Sequence, residues 1–173
     1  MRNSTDIQSL ERFMIELGRL VKSSGRVYLV GGTTAILHGW RESTLDIDCK
    51  PEPEPEGFFE AIARLKDQLS INIELAAPDH FMPALPGWEA RSEFIARHGQ
   101  IDFYQYDYYS QALSKIERNH GKDKIDVDSM LERKLITIEK LQELFDEVEP
   151  KMIRYPSLDP ESIRNRILEW KNL

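Results

Sequence analysis

Three carboxylates and a pair of glycines are the residues of this chain with the most potential for chemistry. The segment VGGTTAILHGWRESTLDID (30–48) places Gly31 and Gly32 after an apolar run, and Asp46 and Asp48 on either side of one isoleucine. A glycine pair between a strand and a helix lets backbone N–H groups approach a phosphate without a Cβ in the way. Paired carboxylates suit a hard cation such as Mg²⁺. The alternative is an ordinary turn followed by a solvated strand edge.

A third carboxylate lies in the segment SINIEL (70–75). Alternate residues of a strand point to the same face, so Asp46 and Asp48 project together. The residues expected to point into the core are Leu45, Ile47 and Cys49. In the later strand Glu74 shares its face with Asn72. If the two strands are neighbours, Glu74 completes a site of three carboxylates.

The elements that must position these residues alternate between helix and strand. Apolar residues at three- and four-residue spacing predict helices over 5–23, 57–69, 108–119, 137–148 and 161–170. Short β-rich runs predict strands over 26–30, 45–49 and 70–75, and a hairpin over 95–107. The segment HGKDKIDVDSML (120–131) is predicted as a polar stretch that leads into another helix. No internal repeat is present.

Composition limits the function classes. The 173 residues include 40% hydrophobic and 31% charged side chains, which is typical of a globular chain. A net charge of −7 argues against an extended nucleic-acid footprint, although a local basic patch could still hold a nucleotide or one RNA end. The single cysteine, Cys49, is interpreted as a small buried residue. No apolar run approaches the ~20 residues of a membrane span, and the N-terminus lacks a signal-peptide layout, so a cytoplasmic protein is expected.

The glycine pair and the aspartates together resemble the signature of the nucleotidyltransferase superfamily, which includes DNA polymerase beta, the CCA-adding enzymes and the kanamycin nucleotidyltransferases. Here Val30-Gly31-Gly32 is followed by thirteen residues and then Asp46-Ile47-Asp48. The chain is more closely similar to small bacterial nucleotidyltransferase-like domains, some of which occur in toxin–antitoxin pairs. The segments that carry this likeness are RESTLDID (41–48), ALSKIER (112–118) and KDKID (122–126).

The resemblance implies an α+β fold with a small mixed β-sheet flanked by helices and a C-terminal helical extension. We expect a nucleotidyltransferase-like core over residues 1–131, with an extra hairpin and helix. Residues 132–173 are expected to form the helical extension packed on that core.

The resemblance also implies a role for each residue of the site. Asp46 and Asp48 would bind two Mg²⁺ ions, and Glu74 would hold the metal at the attacking hydroxyl. The residues expected to bind the β- and γ-phosphates are Gly31, Gly32, Thr33 and Arg41, the last because its planar fork suits phosphate oxygens.

Two cations of the later helix complete the predicted nucleotide site. Lys115 and Arg118 lie three residues apart on one helical face, and the resemblance implies that they reach the triphosphate. An ordinary solvated face is the alternative. Asp123 and Asp126 are interpreted as structural residues that cap a helix or pair with these cations.

Three functions follow from these observations. The first is a metal-dependent nucleotidyltransferase that moves NMP from an NTP to a protein hydroxyl, an RNA end or a small molecule. The second is a catalytically degenerate binding module, of which a toxin–antitoxin component with a small protein partner would be one form. Thr33 in place of serine and Glu74 in place of aspartate motivate the second. The third is a plain α+β domain whose acids are solvated.

Overall fold

A five-stranded mixed sheet carries the glycine turn and the three acids. The computed structural model describes residues 1–173. The strands are β1 (Gly25–Val30), β2 (Asp46–Pro51), β3 (Asn72–Glu74), β4 (Glu93–His98) and β5 (Ile101–Gln105). They lie in the order β3-β2-β1-β5-β4. β1 runs antiparallel to β2 and parallel to β5, β2 and β3 are parallel, and β4 and β5 form an antiparallel hairpin with a register shift between Phe94 and Ala96.

The five helices predicted from apolar spacing agree with the structure to within a few residues at most ends. The α-helices of the structure are α1 (Ile7–Leu20), α2 (Gly32–Leu37), α3 (Phe58–Gln68), α4 (Trp88–Arg91), α5 (Tyr108–Arg118), α6 (Gly121–Glu132), α7 (Ile138–Val148) and α8 (Pro160–Lys171). Two 3₁₀ helices lie at Pro78–His80 and Glu149–Arg154. The predicted α+β class, with a mixed sheet, flanking helices and a helical C-terminal part, is confirmed.

The segment predicted as a polar stretch before a helix is itself helical. α6 begins at Gly121, and the Asp123 carboxylate accepts a hydrogen bond of 3.3 Å from the backbone N–H of His120, the residue that precedes the helix. This contact satisfies a donor that would otherwise be left open at the helix start. Asp123 and Asp126 therefore lie inside the helix.

By its contacts the chain divides into two compact units. The first unit comprises Met1–Ala77 and Ser92–Tyr106, and the second comprises Pro78–Arg91 and Asp107–Leu173. The division at residue 131 that the sequence predicts does not coincide with these units. α5 and α6 pack on each other, and α5 also contacts α7 and α8, so all four helices belong to the second unit.

The core of the first unit lies on one face of the sheet, where α1 and α3 cover the strands. Both helices present an apolar stripe at helical spacing, and the strands contribute alternate residues. The largest contributors are Leu10, Phe13, Leu17, Leu29, Ile47, Phe58, Leu65 and Phe103. The Asp6 side chain caps α1 by accepting a 2.8 Å hydrogen bond from the Ser9 N–H, and this bond lowers the pKa of Asp6.

The second unit is helical and has its own buried side chains. Asp107 caps α5 by accepting hydrogen bonds from the N–H groups of Tyr109 and Ser110, and it forms a bidentate pair with Arg91 at 2.9 and 2.7 Å. The buried apolar residues of the four long helices include Leu113, Ile116, Val127, Met130, Leu141, Leu144, Phe145, Ile163 and Ile167.

The alternation around β2 holds for two of the three predicted core residues. Ile47 and Cys49 are fully buried, but Leu45 is 71% exposed, so its predicted core position is wrong. β2 begins only at Asp46, so Leu45 belongs to the preceding loop. Burial raises the pKa of the Cys49 thiol to about 12, which agrees with an unreactive structural cysteine.

Gly18 offers a test of how tightly α1 packs on the hairpin. A Cβ at Gly18 would lie 2.3 Å from the carbonyl oxygen of His98, and backbone cannot move aside cheaply. We expect Gly18→Ala to lower the free energy of unfolding by about 1 to 3 kcal/mol. Gly121→Ala is the matched control, because a Cβ there meets nothing within 4 Å. Urea unfolding measures the free energy of unfolding of both variants. Equal values for Gly18→Ala and Gly121→Ala would contradict the close contact between Gly18 and His98.

Candidate functional site

The glycine turn between β1 and α2 brings the backbone against Asp48. Gly31 has a φ of +71°, in the region that favours glycine. A Cβ at Gly31 would lie 2.8 Å from Oδ2 of Asp48. The first glycine is therefore needed twice, once for the backbone conformation and once for the close approach of the carboxylate.

The second glycine makes room for the loop that precedes β2. A Cβ at Gly32 would lie 2.2 Å from Oγ1 of Thr44 and 3.4 Å from Nη1 of Arg41. The loop thus passes over the start of α2 and places the Arg41 guanidinium beside the glycine pair. Thr44 fixes the loop through backbone hydrogen bonds with Thr5, which donates at 2.7 Å and accepts at 2.9 Å.

Thr33 is buried and its hydroxyl is directed back to the chain. Its Oγ1 donates a 2.7 Å hydrogen bond to the carbonyl oxygen of Val30, and the residue is fully buried. A hydroxyl has a single proton to donate. In this structure Thr33 therefore fixes the turn, and its predicted contact with a phosphate stays a prediction.

The strand register places the three predicted acids on one face. Asp48 lies opposite Val30 of β1 and opposite Glu74 of β3, and Asp46 lies opposite Asn72. The two acid-bearing strands are neighbours, so the condition for a site of three carboxylates is met. Because residues opposite each other share a face of the sheet, all three carboxylates stand on the side away from the core formed with α1 and α3.

Asn72 joins two of these carboxylates, and sequence reasoning assigned it no role. Its Nδ2 donates to Oδ1 of Asp46 and, at 3.1 Å, to Oε1 of Glu74. Its Oδ1 accepts a 2.7 Å hydrogen bond from Nη1 of Arg2. The position of Asn72 on the same strand face as Glu74 could have indicated its contact with the acids. Nothing in the sequence linked Asn72 to Arg2, 70 positions away.

The donor chemistry of this face fits a hard divalent cation. Asp46 and Glu74 present carboxylate oxygens that both reach the amide nitrogen of Asn72, so these oxygens converge on a common region. Oxygen donors of this kind are the ligands that Mg²⁺ prefers. No three or more His, Cys, Asp or Glu side chains are close enough to one another to bind the same metal ion as they stand. Asp46 and Glu74 are the acids whose oxygens already converge, so they would hold a cation. Asp48 would join them only if its side chain changed orientation.

Lys115 and Arg118 of α5 each pair with an aspartate of α6. Nζ of Lys115 lies 2.7 Å from Oδ2 of Asp126 and 3.6 Å from Oδ1 of Asp123. Arg118 holds Asp123 with two hydrogen bonds of 2.8 and 2.5 Å. The predicted structural role of the two aspartates agrees with these contacts. The nucleotide-binding role of the two cations stays a prediction.

The pKa of Asp123 lies below its ordinary value. Burial by itself would raise its pKa, but the hydrogen bonds from Arg118 and the positive charges of Arg118 and Lys115 outweigh burial and lower it. A carboxylate with a lowered pKa stabilises the fold above its unfolded pKa, and this stabilisation is lost as the pH falls through the folded pKa.

The sheet, the glycine turn and the carboxylate face define a nucleotidyltransferase-like α+β protein. The model of one family matches residues 7–173, and its description is nucleotidyltransferase of unknown function (DUF6036). The chain therefore belongs to this nucleotidyltransferase family. No curated protein and no solved structure matches the sequence. None of the helices combines the length and the apolar character that crossing a bilayer requires.

The buried Lys115–Asp126 pair can be tested for a structural contribution. Both side chains are at least 94% buried, so removing only the cation takes from a buried carboxylate the ammonium group 2.7 Å away. We expect Lys115→Met to destabilise the fold by about 3 to 5 kcal/mol. The double variant Lys115→Met with Asp126→Asn should recover most of this loss. Chemical denaturation of the three proteins measures both effects, and a stable single variant would contradict the role of the pair.

Proposed function

We propose that this protein transfers a nucleotide from a nucleoside triphosphate to an acceptor hydroxyl with the help of divalent cations. The observation that carries the proposal is the meeting of the glycine turn, Arg41 and Asp48 at one place in the first unit. The family to which the chain belongs supports the same reaction class. The glycine turn and Arg41 would bind phosphate, and Asp48 would bind a cation, at the end of β1 and the facing part of β2.

The triphosphate would lie against the glycine turn. Gly31 and Gly32 carry no side chain of their own that would keep a phosphate away from the backbone, and N–H groups at a turn of this kind bind phosphate oxygens well. Arg41 stands beside Gly32 and adds a planar donor fork that fits two oxygens of one phosphate. The turn and Arg41 would orient the β- and γ-phosphates, and Thr33 would hold the turn through Val30.

The acids would act at the α-phosphate. Asp46 and Asp48 would hold two Mg²⁺ ions, which, when bound, neutralise phosphate charge and make an acceptor hydroxyl more acidic. Glu74 would bind on the acceptor side and receive the proton of the hydroxyl. The acceptor oxygen forms a bond to the α-phosphorus, the bond from that phosphorus to the bridging oxygen breaks, and pyrophosphate leaves.

The acceptor is proposed only by class. A protein hydroxyl, an RNA 3′ end or a small molecule each offers the attacking oxygen that the reaction needs. The net charge of −7 favours a short contact over a long nucleic-acid footprint. A role in a toxin–antitoxin pair, with a small protein partner, belongs to the alternative of a catalytically degenerate binding module.

One structural observation favours a second function, a nucleotide-binding module without catalysis. The amide of Asn72 donates to Asp46 and Glu74, where a catalytic site would need a cation. A module of this kind would bind a nucleotide at the glycine turn without transferring it.

Nucleotide binding is tested by thermal shift with ATP, GTP, CTP and UTP, each with and without Mg²⁺. A nucleotide present at 100 times its dissociation constant should stabilise the native protein by about 2.7 kcal/mol. Asp48→Asn should abolish the Mg²⁺-dependent part, while Asp67→Asn on an exposed turn of α3 should retain it. The absence of a shift with every nucleotide would contradict the proposal.

Catalysis is tested by transfer of label from an α-³²P-labelled nucleotide to protein, RNA or small-molecule acceptors. We expect Asp46→Asn to lower the rate on the order of a hundredfold or more, because charge stabilisation by a bound cation is worth several kcal/mol. Binding without any transfer would favour the non-catalytic module.

A further inference from the structure

A hydrogen-bond network in the first unit connects the N-terminal arm to the acids. The arm (residues 2–5) is fixed at two points, because the Asn3 N–H donates to the Ser70 carbonyl at 2.7 Å and Thr5 forms its bridge with Thr44. Arg2 stands beyond these points and donates to Oδ1 of Asn72. The arm therefore holds Arg2 beside β3.

The orientation of the Asn72 amide follows from its partners. Carboxylates only accept hydrogen bonds, and a guanidinium only donates them. The Nδ2 group must therefore face Asp46 and Glu74, and Oδ1 must face Arg2. Arg2 thus favours the orientation in which the amide presents N–H groups, and no oxygen, to the two carboxylates.

This amide takes the place that a cation between the same oxygens would require. An N–H donor relieves the repulsion between two nearby carboxylates, as a cation would, but it cannot itself coordinate a metal ion. A cation that binds both Asp46 and Glu74 must displace the amide from them. The hydrogen bond from Arg2 opposes that displacement.

We propose that Asn72, held by Arg2, occupies the cation position between Asp46 and Glu74 and so sets the cation concentration at which the site fills. The inference rests on the proposed function, since it concerns the metal site of that reaction. Asn72 and Arg2 act as positioning residues, with Arg2 acting through Asn72. In the absence of cation the network holds the two acids in place.

The test is a titration of the protein with Mn²⁺ alone, followed by electron paramagnetic resonance or calorimetry. Asn72→Ala should bind Mn²⁺ roughly 25-fold more tightly, because two competing hydrogen bonds are lost. Arg2→Met should bind about fivefold more tightly, the factor that corresponds to one hydrogen bond. Arg12→Met on the exposed face of α1 also removes one positive charge from the first unit and should bind like wild type.

The double variant Arg2→Met with Asn72→Ala separates hydrogen bonding from charge. If Arg2 acts through Asn72, the double variant binds like Asn72→Ala alone. If the Arg2 substitution tightens binding by the same factor in both backgrounds, Arg2 acts only by its charge, and its proposed role is overturned.

Stability without metal gives a second, independent readout. In EDTA, Asn72→Ala should melt about 2 to 4 °C below wild type, since the two carboxylates lose their shared donor. Added Mn²⁺ should remove the difference. Mn²⁺ binding that is equal in wild type and all variants would overturn the inference and leave the proposed function standing. Absence of Mn²⁺ binding in every variant would overturn both.

Discussion

The pairing register of β2 is the constraint on which the rest of the first unit depends. β2 lies between β1 and β3, and this register puts Ile47 and Cys49 into the core while Asp46 and Asp48 face the other way. A slip of one residue would exchange the two sets. Two carboxylates would then be buried among apolar side chains of α1 and α3, at a large penalty in free energy. The core therefore specifies the geometry of the acidic face.

Much of this arrangement could be predicted because it is local or periodic. Alternation of apolar and acidic residues in β2, together with the glycines after β1, follows directly from the residue types. The hairpin of β4 and β5 was predicted from two β-rich runs around His98-Gly99. In these cases the signal lies within a few residues of the feature. The pairing of β2 with β3 joins residues 26 positions apart, and the sequence offered it only as a condition of the site, which the structure meets.

The contacts that escaped prediction join residues far apart in sequence or reverse a local expectation. Arg2 reaches Asn72 across 70 positions, and no pattern within one strand or helix encodes that pairing. The hydrogen bond from the Thr33 hydroxyl to the carbonyl oxygen of Val30 was not predicted either. α6 is rich in charged residues and was expected to begin as a loop. The pairing of its aspartates with Lys115 and Arg118, which was one of the two structural roles predicted for them, compensates for their charge within the helix.

The two edges of the sheet have a consequence for how the protein behaves among its copies. At one edge β3 has only three residues, and the carbonyl oxygen of Ser70 beside it accepts a hydrogen bond from the Asn3 N–H. At the other edge β4 carries a register shift and the exposed charges of Glu93 and Arg97. Short strands, bulges and edge charges each remove the flat row of open backbone groups to which a foreign strand adds. Edge-to-edge aggregation is therefore opposed at both ends of the sheet.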